Sequence, residues 1–136
     1  MQNLVDSHAH LDLLDDPESS IAACRETGVR RIIAVGIDLP SSRLAVEYTA
    51  RYEEAQAAVG IHPHYALTAD EQAISEIATL AENSPKVVAI GETGLDYFRD
   101  RSPREAQLVT FIKPIALARR TSLPLVIHSR EADADR

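Results

Sequence analysis

The chain has 136 residues, 45% of them hydrophobic and 26% charged, a globular composition that excludes disordered, collagen-like and membrane-spanning classes. Fourteen Lys and Arg against 21 Asp and Glu give a formal charge of −7, so a broad basic surface that holds polyanions by net charge is excluded. A phosphate-bearing substrate would need another source of positive charge, and a bound metal is the obvious one.

Cys24 is the only cysteine, so no internal disulfide can form, which fits a reducing, cytoplasmic setting. The opening residues lack a basic stretch followed by an apolar one, so no signal peptide is expected. No apolar run approaches the ~18 residues of a membrane span.

Short apolar runs at 4–7, 31–37, 56–61, 87–92 and 123–128 are nearly continuous and rich in Val, Ile and Ala, as suits parallel strands buried on both faces. Between them lies helix punctuation. Asp16 and Pro17 open a first helix that Gly28 stops. Pro40 and Ser41 open a second, running to about Tyr52. Thr68 and Glu71 have capping-box spacing for a third, with Pro85 past its end. Ser102, Pro103 and Glu105 repeat that signature for a fourth, reaching Thr121. Pro114 lies inside it and is expected to kink it or remove a hydrogen bond. Repeated βα units of this size build a doubly wound sheet or a (β/α)₈ barrel. A whole barrel takes ~250 residues, so five strands and four helices would make a partial, open one.

Ionisable side chains gather at the C-terminal ends of these runs: His8 and His10, His62 and His64, Glu92, and His128. In a parallel barrel those ends share one face, where catalytic groups collect. His8 and His10, two apart on a strand, point the same way and can reach one metal, with Asp6 and Asp12 able to orient their rings. Glu92 ends its run between Gly91 and Gly94, where its two oxygens can serve two cations. Its competing reading is a carboxylate paired with Arg99 or Arg130. His128 is a further candidate ligand at the same depth, followed by Arg130 as a phosphate partner. Pro63 keeps His62 extended, so His62 and His64 suit substrate contact at the pocket mouth. Tyr97 could stack on a base and Arg99 bind a phosphate. Arg101 and Arg104 also favour an anionic substrate. Cys24, with no candidate base beside it, reads as a small apolar residue. Neither dinucleotide nor Walker spacing occurs, and no nucleophile elbow supports a Ser-His-Asp triad.

These stretches resemble the TatD-type DNase family of amidohydrolase-like metal-dependent hydrolases. The residues that carry the resemblance are Val5-Asp6-Ser7-His8-Ala9-His10-Leu11-Asp12, Ala34-Val35-Gly36, Val59-Gly60-Ile61-His62-Pro63-His64, Ile90-Gly91-Glu92-Thr93-Gly94-Leu95-Asp96-Tyr97 and Leu123-Pro124-Leu125-Val126-Ile127-His128-Ser129-Arg130. The resemblance implies one TatD-like domain over 1–136, truncated at its C-terminal side. It implies a TIM-type (β/α)₈ barrel holding two divalent cations. His8 and His10 would bind the first, Glu92 would bridge both as the catalytic carboxylate, and His128 would bind the second.

The family's metal is Mg²⁺, while three imidazoles also suit Mn²⁺, Zn²⁺ or Co²⁺. The implied activity is 3′→5′ exonucleolytic hydrolysis of single-stranded DNA by metal-activated water. The family's pattern continues beyond this sequence with a histidine after the sixth strand and an aspartate after the eighth. Other readings are an ester or amide hydrolase, a D-aminoacyl-tRNA deacylase, or an incomplete half-barrel that self-associates through its open edges.

Overall fold

The structure, a computed structural model, describes residues 3–135; the outermost residues of the expected 1–136 domain lie outside that range. Five parallel strands, β1 (Leu4–Ala9), β2 (Val29–Val35), β3 (Ala55–Val59), β4 (Val87–Asp96) and β5 (Leu125–Arg130), form one sheet in the order β1-β2-β3-β4-β5. Helices α1 (Pro17–Thr27), α2 (Leu39–Arg51), α3 (Glu71–Asn83) and α4 (Arg104–Thr121) make the connections. A doubly wound sheet reverses its strand order at a switch point. This one never reverses, which decides the alternative left by the sequence: it is an open sector of a TIM-type barrel.

Burial follows position in the sheet. Central β3 carries Ala55, Ala57, Ala58 and Val59, all fully buried. These small residues let Ile21, Tyr48, Tyr52, Ile77 and Leu117 of the flanking segments close over the sheet. Each large aliphatic chain buried in this way contributes about 1.5–3 kcal/mol. The outer strands are open. Leu4 and Val5 on β1 are 46% and 58% exposed, and Ile127 on β5 is 51% exposed.

Helix starts differ in detail from the sequence expectation. Asp16 and Pro17 open α1 as expected, with Gly28 past its end. In α2 the cap is Asp38, whose carboxylate accepts from the Ser41 N–H at 2.8 Å. Asp70, not Thr68, caps α3 by accepting from the Ala73 N–H at 2.7 Å, because residues 63–68 form a separate 3₁₀ segment. Ser102 does not cap α4; it is buried and its hydroxyl donates to the His64 carbonyl at 3.0 Å. Pro114 is buried within the continuous α4.

Strand β4 runs four residues past the expected end at Glu92. Thr93, Gly94, Leu95 and Asp96 pair with Ile127, His128, Ser129 and Arg130. That extension places Asp96 beside the C-terminal end of β5.

Candidate metal centre

The imidazoles converge at the C-terminal rim of the sheet. His8 lies near the end of β1 and His10 just beyond it. The Nδ1–H of His10 donates to the Val35 carbonyl of β2 at 3.0 Å, which leaves its Nε2 with a free lone pair. That Nε2 lies 3.2 Å from Nε2 of His8, and the two nitrogens are 3.8 and 3.3 Å from Oε2 of Glu92. A cation held at about 2.0–2.1 Å from such atoms sets neighbouring ligands about 3.0–3.4 Å apart. The donor set and its spacing therefore fit a divalent ion. Asp6 does not steer a ring, because its carboxylate accepts the backbone N–H of His8 at 3.1 Å.

The second oxygen of Glu92 faces a different group. Oε1 is 3.2 Å from Nδ1 of His128 and 4.0 Å from Nε2 of His62. His62, His64 and His128 cluster there, one ring nitrogen of each lying within 4.8 Å of the others and their ring centroids 4.3–6.0 Å apart. Glu92 is only 8% exposed, and its ion-pair partners are imidazoles rather than Arg99 or Arg130. Two glycines fit it there. Gly91 has φ 143° and packs on Val126, and Gly94 has φ 139° and lies against the backbone of His128, so neither place admits a Cβ.

Asp96 carries no local signal in the sequence that marks it as a site residue. It is 1% exposed, and its Oδ2 lies 2.8 Å from Nε2 of His64 and 2.9 Å from Nε2 of His128. Burial alone would raise its carboxyl. The Arg99 N–H, at 2.8 Å, and the two imidazoles outweigh burial and hold it well below the ordinary carboxylate range. Only its place on the β4 extension, unread in the sequence, could have signalled it.

His62 is 7% exposed, and burial, reinforced by His128 and His64, pushes its imidazole down to about 3. Its Nδ1 accepts the His64 N–H at 3.1 Å. The neutral ring therefore carries its proton on Nε2 and presents a donor, not a lone pair, to the rim. Because its folded value lies below the ordinary 6.5, stability is full above about pH 6.5 and lost as pH falls toward 3. Chemical denaturation in EDTA is expected to show the midpoint falling as the pH drops below 6.5. His62→Gln is expected to flatten that slope by up to about 1.4 kcal/mol per pH unit. An unchanged slope in His62→Gln would refute this assignment.

The remaining predicted residues are placed differently. Tyr97 is buried with Leu95, Phe111 and Ala132; its hydroxyl donates to Asp135 at 2.9 Å and Arg104 lies over its ring. The exposed aromatic is its neighbour Phe98, 52% exposed, with the guanidinium of Arg130 at 3.9 Å and that of Arg99 at 6.0 Å from its centroid. Phe98 carries no spacing signal, and only its surface position distinguishes it from Tyr97. Cys24 is half-buried and packs against the core. Among the described residues, no helix is long and apolar enough to cross a membrane.

A non-reversing parallel sheet, with a His-x-His pair, a glutamate on β4 and a histidine on β5 at one rim, defines a metal-dependent hydrolase of the α/β-barrel class. The model of the TatD-related DNases matches residues 5–136, and the chain belongs to that family. An uncharacterized metal-dependent hydrolase, YabD of Bacillus subtilis, is 41% identical over 135 residues, covering 97% of this chain and 52% of that protein. A protein named 3′-5′ ssDNA/RNA exonuclease TatD, from Cronobacter sakazakii, is 35% identical over 119 residues, covering 88% and 45%. The crystal structure of the TatD homolog YJJV from Escherichia coli superimposes with a TM-score of 0.85 at 28% identity, covering 95% of this chain and 51% of that one. A TatD-family hydrolase from Entamoeba histolytica gives 0.87 at 27% identity, covering 98% and 52%. The chain thus spans about half the length of the relatives it matches.

Proposed function

We propose that the protein hydrolyses phosphodiester bonds of single-stranded DNA or RNA from the 3′ end, with two divalent cations, Mg²⁺ by family resemblance. The observation that carries this is the division of Glu92: one oxygen faces His8 and His10, the other His128. His8, His10 and Glu92 would hold one cation, and Glu92 with His128 the other. When bound, the pair supplies Lewis-acid polarisation of a phosphoryl oxygen and acidifies the attacking water.

The other residues bind and orient. His62 offers its Nε2–H toward the rim, suited to a phosphoryl oxygen. Phe98 offers an exposed ring for a base, and Arg99 and Arg130 beside it offer charge for the flanking phosphates. Local guanidinium groups and bound cations would offset the acidic surface.

The test is incubation of 5′-labelled single-stranded DNA with the protein and Mg²⁺ or Mn²⁺. Progressive shortening from the 3′ end, abolished by EDTA, is expected. Intact DNA alongside hydrolysis of p-nitrophenyl esters would assign the site to another substrate class.

A further inference from the structure

We propose that Asp96 is a positioning residue: its buried carboxylate takes the Nε2 protons of His64 and His128, so that His128 turns its bare Nδ1 to Glu92. The starting point is a conflict of proton demand. Oδ2 of Asp96 stands 2.9 Å from Nε2 of His128, and Oε1 of Glu92 stands 3.2 Å from Nδ1 of the same ring. A neutral imidazole has one N–H to divide between two carboxylates.

The shorter contact, to the more deeply buried carboxylate, takes the proton. Asp96 is 1% exposed and Glu92 8%. Oδ1 of Asp96 is already occupied by the Arg99 N–H, and Gln107 fixes the Asp96 backbone by accepting its N–H at 2.8 Å and donating to its carbonyl at 3.2 Å. The carboxylate therefore cannot swing away, and its Oδ2 remains the common acceptor for His64, at 2.8 Å, and His128.

On the other side of the ring, two lone pairs, Nδ1 of His128 and Oε1 of Glu92, are left facing each other at 3.2 Å. Such a pair is relieved by a cation between them. Carboxylates that hold a ligand's second ring nitrogen in this way fix its tautomer and orientation and raise its basicity. Asp96 thus serves the side of Glu92 opposite to His8 and His10. This role rests on the proposed reading of His128 as a ligand, but the tautomer it demands is readable without any metal.

The first readout is long-range ¹H–¹⁵N correlation spectroscopy of the metal-free protein at about pH 8.5, above the ordinary imidazole range. His64 and His128 are expected as Nε2–H tautomers. A His128 protonated on Nδ1 would overturn the proposal, with no variant needed.

The second readout is Zn²⁺ titration followed by calorimetry and by the same resonances. Asp96→Asn keeps an acceptor for the Arg99 N–H but loses the charge. It is expected to release the His128 tautomer and weaken Zn²⁺ binding at His128 by about 10–100-fold. Binding at His8 and His10 should stay unchanged. An Asn variant with wild-type tautomers and wild-type affinity at both places would overturn the proposal. Nε2–H tautomers lost in Asp96→Asn, with Zn²⁺ shifting neither His128 nor His8, would sustain the positioning role and refute the two-cation reading instead.

Discussion

Exchange of Glu92 for Gln is expected to reduce metal-dependent hydrolysis by about 10²–10³-fold while leaving the protein folded. Gln keeps the shape of the side chain but loses its charge and one of its two lone-pair oxygens. In the native site Oε2 lies 3.3 and 3.8 Å from the imidazoles of His8 and His10, and Oε1 lies 3.2 Å from His128. Cation stabilisation of transition-state charge is worth several kcal/mol, and each 1.36 kcal/mol is about tenfold in rate. The distinguishing readout is metal binding. Glu92→Gln should weaken both cation sites, whereas His8→Ala should weaken only the one that His8 lines. A Glu92→Gln protein with activity within about tenfold of wild type would remove Glu92 from the centre of the chemistry.

Gly94→Ala is expected to be the most damaging single-methyl substitution at the rim. Gly94 pairs with His128 across β4 and β5 and has φ 139°. A Cβ there would run into the His128 carbonyl oxygen, with the His128 carbonyl carbon at 2.9 Å and nitrogen at 3.1 Å. Backbone strain of this kind costs about 1–3 kcal/mol, and forced overpacking about 1–3 more. The two strands cannot separate without breaking the ladder that carries His128. Urea denaturation should therefore show a loss of about 2–6 kcal/mol, the sum of those two costs. The His128 resonances should shift as well. A loss below about 1 kcal/mol would mean that β5 gives way freely there, contrary to the observed pairing.

Much of the fold was legible because parallel strands and helix starts leave local signals. The near-continuous run at 87–92 read as a buried strand, and Asp16-Pro17 read as a helix start; both stand in the structure. The choice between barrel and doubly wound sheet was not local. It depends on which strands are neighbours, and only the β1-to-β5 order decided it. The end of β4 is not set locally either. Gly94 breaks the apolar run, yet Thr93 to Asp96 remain strand because β5 pairs with them.

At the rim, the histidines stand out because all five fall toward or just past the C-terminal ends of the first, third and fifth strands. Asp96 did not, because a lone aspartate beyond a glycine has the appearance of a turn. Its importance comes from two imidazoles brought to it from segments 32 residues away in either direction. Tyr97 and Phe98 differ in the same way. Adjacent aromatics look alike in sequence, but one is turned into the packing against Phe111 and the other is left on the surface beneath Arg130.

The central claim is that Glu92 lies between two cations. Its most direct test is anomalous diffraction from crystals of the protein soaked in Mn²⁺. Two peaks are expected, one bounded by His8, His10 and Glu92 and the other by Glu92 and His128. A single peak without Glu92 among its ligands, or no peak at this rim, would contradict it.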